Sequence, residues 1–156
     1  MCGITGVFGE VDKRILQDMT RILEHRGPDD EGFFLDSGIG LGFRRLSIID
    51  LDKGRQPMMT RDGRYVIVFN GEIYNFKELR KDLEASGVSF STNSDTEVVL
   101  KLFVKHKEKC LGYLNGMFGF AIFDTEEKKL FVARDRLGIK PIYYCSIDGN
   151  FVFSSE

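Results

Sequence analysis

Four short apolar runs crowd the last third of the chain, "MFGFAIFD", "KLFVARD", "IYYCSI" and "FVFSSE", and they limit what it can fold into more than any other feature. Each has the length and the aromatic and β-branched content of a strand. Upstream, "ITGVFG", "GFFLD", "IGLGF" and "YVIVFN" read the same way, with Ser37-Gly38 joining the second and third. Val11, Ile15, Leu16, Met19, Ile22 and Leu23 recur at helical spacing and predict an amphipathic helix over roughly 11–25. Asn75 and Glu78 are spaced as an N-cap and its reciprocal partner, ahead of a helix that buries Leu79 and Leu83. "NSDTEVVLKLFVKH" opens another helix, with Ser94 or Asp95 as its cap and acidic residues near its N-terminus. Many apolar strands and few helices predict an α+β fold of two packed sheets with helices on the outer faces.

The 156 residues fit one domain, and no repeat, linker or low-complexity tract divides them. A net charge of −2 gives no electrostatic case for a nucleic-acid partner. No apolar run approaches the ~18 residues of a membrane span. The N-terminus lacks the basic and then apolar segments of a secretion signal, so the expectation is a cytoplasmic chain, mature from its second residue. Cys2, Cys110 and Cys145 do not form a disulfide framework, and two histidines without a Cys/His cluster exclude a zinc site from the reading. The chain ends at "FSSE" just as a strand finishes, which reads as a fragment of something longer.

The chemistry begins at "MCGITG". A thiol directly behind the initiator is badly sheltered as core filling. Once Met1 is removed, Cys2 carries a thiol of pKa about 8.5 and an α-amine of pKa about 7.7–8.0 on one residue. The amine can then serve as base for its own thiol, directly or through water, and no histidine is required. "NGEIYN" contains Asn-Gly, a strong hairpin signal. Here it follows an apolar strand and precedes a capped helix, which weakens the hairpin reading. An asparagine amide and a neighbouring glycine N–H can together face a developing oxyanion. In "RRLSIID", ahead of a β-rich run, Arg44 and Arg45 point to opposite faces of a strand, so one faces solvent and the other is able to grip a carboxylate. Asp95 reads from its spacing as a helix cap, His25 as a turn residue, and Cys110 and Cys145 as core fillers.

Cys2-Gly3-Ile4, "HRGPDDEG", "RRLSIIDL", "GRQPM", "FNGEIYN", "SDTEVVL", "LNGMFGFAIFD" and "ARDRLGIKPIYY" together resemble the glutaminase domain of asparagine synthetases. That domain belongs to the class II glutamine amidotransferases, which are N-terminal-nucleophile hydrolases. The resemblance runs nearly end to end and implies a single domain over 1–156 with a four-layer αββα sandwich of mostly antiparallel sheets. It implies Cys2 as the nucleophile that converts glutamine to a thioester and ammonia. Asn70, through its side chain, and Gly71, through its backbone, match the oxyanion hole. Arg45 matches the residue on the substrate α-carboxylate, and Glu72 and Asp95 the acidic groups around its α-amine. A zwitterionic substrate requires such opposed charges.

Two departures stand out. Phe43 in "GFRRLSI" replaces the histidine often found there, beside Arg45 but without removing it. The synthetase domain into which such chains continue is also missing, and with it any P-loop. No cofactor or metal is therefore implied for this domain, and ATP and Mg are expected only in the synthetase part. The implied partners are L-glutamine and a synthetase domain or subunit that receives ammonia, with homo-oligomerisation left open. Two other readings remain: a glutamine-binding or interaction module of the same fold without turnover, and an amidotransferase domain of another biosynthetic pathway. Other N-terminal cysteine hydrolases, acting on penicillin-like or bile-acid amides, fit less well, since the likeness to them stops at the nucleophile. Retention of Met1 would leave Cys2 with an amide in place of an amine and block the chemistry.

Overall fold

Side chains alternate across a strand, and that alternation sorts this chain into layers. The computed structural model describes residues 1–46 and 54–156; the run after the two arginines, read above as β-rich, falls mostly on 47–53 and lies outside the described residues. The strands are β1 (Gly3–Phe8), β2 (Asp30–Asp36), β3 (Ile39–Arg45), β4 (Met58–Met59), β5 (Tyr65–Ile73), β6 (Gly116–Asp124), β7 (Lys129–Arg134), β8 (Tyr143–Ile147) and β9 (Asn150–Ser154). One sheet has the order β2-β3-β1-β9-β8 and the other β4-β5-β6-β7, with every pairing antiparallel.

Between the sheets, Ile4 of β1, Ile39, Leu41 and Phe43 of β3, and Phe153 of β9 pack with Val66 and Val68 of β5 and Ala121 and Phe123 of β6. The opposite face of β5 and β6 presents Ile67, Phe69, Phe120 and Ile122 to two helices, α2 (Phe76–Ala85) and α3 (Asp95–His106). Burial on both faces is why "YVIVFN" is continuously apolar. A third helix, α1 (Lys13–Ile22), covers the outer face of the first sheet. It approaches closely because β3 carries glycine beneath it: a Cβ at Gly42 would collide with Thr20 Oγ1. The layers thus run α, β, β, α.

Three local details differ from the sequence reading. The buried stripe of α1 and the 3-10 turn after it is narrow, Leu16, Thr20 and Leu23, while Ile15 and Ile22 are exposed; the flat glycine-bearing sheet face accepts one row of side chains. Asn75 starts α2 without capping it. Its Nδ2 donates to the Tyr113 carbonyl (2.9 Å) and its Oδ1 accepts from Asn115 N–H (3.0 Å), so tertiary partners take the atoms a local cap needs. Cys145, expected in the core, is exposed on β8, an edge strand whose residues are all exposed. Cys110 is buried in the helix-side cluster, and Ser94, not Asp95, caps α3 by accepting from Glu97 N–H (3.2 Å).

Candidate active site

The inward-facing rows of three strands end together. On β3 the row is Ile39, Leu41, Phe43 and then Arg45; on β5 it is Val66, Val68 and then Asn70; on β1 it is Ile4, preceded by Cys2. Gly3 pairs with Arg44, which brings Cys2 alongside Arg45. Where the apolar rows stop, Cys2, Arg45, Asn70, Gly71, Glu72 and Asp95 line one cavity of roughly 200 Å³. All six candidate residues are brought together there.

The same parity separates the two arginines. Arg44 points to the α1 side, where its Nε donates to the Gly27 carbonyl (3.0 Å) and its guanidinium pairs with Glu31 (2.9 Å) and Glu24 (3.4 Å). Neither arginine faces solvent: both are buried, Arg44 because the turn at 23–27 folds over it. That corrects the expectation of one exposed arginine.

The Cys2 thiol accepts from Leu46 N–H at 3.4 Å. Burial pushes its pKa up; the Leu46 N–H, the N-terminal ammonium and Arg45 pull the other way, and Asp95 adds to the rise. A half-buried thiol of this kind keeps its proton until a base takes it. Arg26, which the sequence reading passed over in favour of its neighbour His25, holds the backbone of Cys2. Its Nε donates to the Cys2 carbonyl (3.2 Å), and its Nη1 pairs with Glu156 (3.0 Å). His25 contacts the same Glu156 carboxylate and keeps a ring nitrogen on the Ile22 carbonyl. With Met1 attached, the terminal ammonium donates to the Arg26 carbonyl at 3.2 Å and the thioether lies against the Lys140 ammonium.

The donors on the cavity wall follow from strand parity. Phe118 N–H donates to Asp135 Oδ2 (3.2 Å) and Phe118 carbonyl accepts from Asp135 N–H (2.7 Å), so the backbone of Phe118 faces β7. Its partner across β5 is Gly71, and that pair is therefore not hydrogen-bonded. Gly71 N–H points away from β6, toward the side where the two-residue β4 has already run out. Asn70 is buried, and its Nδ2 has no hydrogen-bond partner among the described residues. Glycine at 71 is also a packing requirement: a Cβ there would collide with the Met117 carbonyl and lie 2.7 Å from Phe118 Cα.

Asp95, in the first turn of α3, accepts from Ile73 N–H at 3.1 Å. Burial raises its pKa, the Ile73 N–H opposes that, and Glu72 reinforces it. Lys140 also lines the cavity, 6% exposed, on a loop fixed by the Asp135 carboxylate, which accepts from the N–H groups of Leu137, Ile139 and Lys140 at 2.9–3.1 Å. Sequence reasoning singled out neither Lys140 nor Gln56, another lining residue, because an isolated lysine and glutamine carry no spacing signal. Among the described residues no group of three or more His, Cys, Asp or Glu is placed to hold a metal, and no helix is long and apolar enough to cross a membrane. A thiol, two opposed donors, two cations and two carboxylates around one small cavity can hold an amino acid by its charged end and attack a carbonyl at its other end.

Comparison with known proteins places this geometry in context. The model of a family described as a glutamine amidotransferase domain matches residues 1–156. Glutamine-hydrolyzing asparagine synthetase 1 of Bacillus subtilis (strain 168) is 46% identical over 163 residues, covering 100% of this chain and 26% of that protein. The corresponding synthetase 3 of Arabidopsis thaliana is 40% identical over 163 residues, with 100% and 28% covered. The chain thus spans about a quarter of the length of these relatives. Among solved structures, the glutamine phosphoribosylpyrophosphate amidotransferase from B. subtilis complexed with ADP and GMP superposes with a TM-score of 0.82 at 22% identity, over 99% of this chain and 42% of that one. That likeness is one of fold, and it matches the αββα layering.

Proposed function

The chain belongs to the glutamine amidotransferase domain family, and from that premise we propose that it hydrolyses L-glutamine through a Cys2 thioester and supplies the ammonia to an asparagine-synthetase-type acceptor domain. The observation that carries the reading is a pair of donors with no partner among the described residues, Asn70 Nδ2 and, by its register, Gly71 N–H, on residues lining the cavity that holds the Cys2 thiol. A buried amide without an acceptor is costly in a resting protein, and an oxyanion formed at Cys2 would supply the acceptor.

The steps follow from the groups present. Removal of Met1 converts the Cys2 nitrogen from an amide to an amine, which takes the thiol proton. The sulfur attacks the side-chain carbonyl carbon of glutamine, and the negative charge moves to oxygen, facing Asn70 and Gly71. On collapse, the C–N bond breaks, the ammonium of Cys2 returns a proton to the leaving nitrogen, and ammonia departs. Water, deprotonated by the same amine, then adds to the thioester carbonyl and releases glutamate and the thiol. Arg45 holds the substrate α-carboxylate, with Asp95 and Glu72 on its α-amine.

The acceptor is proposed from the relatives, which are glutamine-hydrolyzing asparagine synthetases about four times as long. ATP and Mg would be used there and not in this domain. A reducing compartment such as the cytoplasm suits a thiol nucleophile. The test is glutamate release from glutamine by protein whose intact mass lacks Met1, with Cys2→Ala alongside. Turnover that disappears in the variant is the expected result. No turnover from correctly processed protein would favour a binding module of the same fold.

A further inference from the structure

The odd-numbered residues of β5 turn their backbone groups toward the β4 side, and four of the five find a different partner there. Tyr65 is met by Thr60, which takes its carbonyl at 2.9 Å and its N–H at 3.0 Å, and Ile67 pairs with Met58 of β4. At Phe69 no strand remains among the described residues. There the side-chain amide of Gln56 does a strand's work: its Oε1 accepts from Phe69 N–H (2.6 Å) and its Nε2 donates to the Phe69 carbonyl (3.2 Å). Nε2 also reaches Thr96 Oγ1 on α3 (3.4 Å). At Ile73 the partner is the Asp95 carboxylate. Gly71, between them, is passed over. Among the described residues, one side chain on each side closes the open edge, and the N–H between them belongs to Gly71, which lines the cavity.

We propose that Gln56 is a positioning residue for the reaction: by standing in for a missing strand at Phe69, it ends the pairing of β5 one residue before Asn70 and fixes the aim of the Asn70 and Gly71 donors. The inference rests on the hydrolytic reading above. Gln56 is anchored independently of substrate, since its carbonyl packs where a Cβ at Gly32 of β2 would collide with it. It therefore ties the edge of one sheet to the oxyanion-facing strand of the other. Donors must be held within about 0.5 Å of their productive positions around the oxyanion to work, and a strand end held only on its β6 side does not supply that precision. Because Gln56 acts on the transition-state donors and not on the charged end of glutamine, its loss falls on kcat and spares KM.

The experiment compares the processed wild-type chain with Gln56→Met, which keeps the side-chain length and removes both hydrogen bonds. Steady-state glutamate release is measured together with the rate of Cys2 alkylation by iodoacetamide, a displacement that forms no oxyanion. The expected result is a fall in kcat of about 10- to 100-fold with KM within about threefold, and an unchanged alkylation rate. Gln56→Glu, which retains an acceptor for Phe69 N–H but sets a carboxylate oxygen against the Phe69 carbonyl, should show the same kcat-only loss and serves if the methionine variant does not fold. Hydrolysis with kcat unchanged, a loss carried in KM, or alkylation slowed in parallel would overturn this inference alone. Absence of hydrolysis by the wild-type chain would overturn the functional reading beneath it.

Discussion

Asn70→Ala should separate catalysis from stability. The side chain is 3% exposed, and its Nδ2 has no partner among the described residues. An unpaired buried donor costs the folded state about 1–3 kcal/mol. Truncation removes that cost together with the packing of a small polar group, a loss of about 1–2 kcal/mol for a cut of this size. The two nearly cancel, so stability should change by less than about 1 kcal/mol, or about 2–4 °C in Tm for a chain of this length. Catalysis has no such offset. Once an oxyanion forms, the same amide gains a charged acceptor in a site shielded from water, and deleting one such donor costs about 10²–10³ in kcat, roughly 2.7–4 kcal/mol. Glutamate release at saturating glutamine gives kcat, and scanning calorimetry on the same material gives Tm. A kcat within about tenfold of wild type would refute the oxyanion role. So would a fall of more than about 8 °C in Tm, because it would show the amide to be a satisfied structural group.

Arg44→Ala should behave in the opposite way. It deletes the donor to the Gly27 carbonyl and the pairs with Glu31 and Glu24, so a urea titration should show a loss of about 2 kcal/mol, with kcat per folded molecule unchanged. Asp124 governs part of the acid limb. Burial alone would raise its pKa, but the Arg64 guanidinium at 2.9–3.2 Å and the N–H groups of Glu127 and Glu126 hold it down to about 2. A depressed carboxylate contributes stability that is complete above its unfolded value of about 4 and is lost as pH falls toward the folded value. Urea midpoints of wild type should therefore fall over that window more steeply than those of Asp124→Asn.

The layers were legible because they rest on short-range pattern. Of the candidate site, position and spacing marked Cys2 and the Asn70-Gly71 pair, while the choice of Arg45 and the roles of Glu72 and Asp95 came only with the family resemblance. Apolar runs bounded by turn residues marked the strands, and period two settles, once the rows are seen, that Arg45 shares a face with Phe43 and Leu41 while Arg44 shares one with Gly42 and Gly40. What stayed hidden depends on partners distant in sequence. Arg44 reads as exposed because nothing local announces that the turn at 23–27 will fold over it. Asn75 reads as a cap because the atoms that claim its side chain lie 38 and 40 residues further on, at Tyr113 and Asn115. Gln56 and Lys140 reach the cavity through a strand edge and a carboxylate-pinned loop, and neither has a sequence period. Cys145 looked apolar from its neighbours, yet an edge strand places it outside.

The cavity lies at the end of the sandwich for an energetic reason. A half-buried thiol with a raised pKa, a buried carboxylate pushed the same way, a lysine 6% exposed against a thioether, and an amide without an acceptor among the described residues each disfavour the resting fold. In the middle of the sheet–sheet interface they would replace side chains such as Phe43, Phe123 and Phe153, each contributing about 1.5–3 kcal/mol through burial. At the row ends they replace none of these, because the apolar rows of β1, β3 and β5 are already complete. The register then does the rest. Gly3 opposite Arg44, and Gly71 opposite a Phe118 whose backbone is turned to Asp135, bring the three rows to a stop at the same level. A one-residue slip of β5 would turn Asn70 to the helix side and close Gly71 N–H into the ladder. The antiparallel register that builds the core is therefore also what leaves the two donor residues on the cavity that holds the thiol.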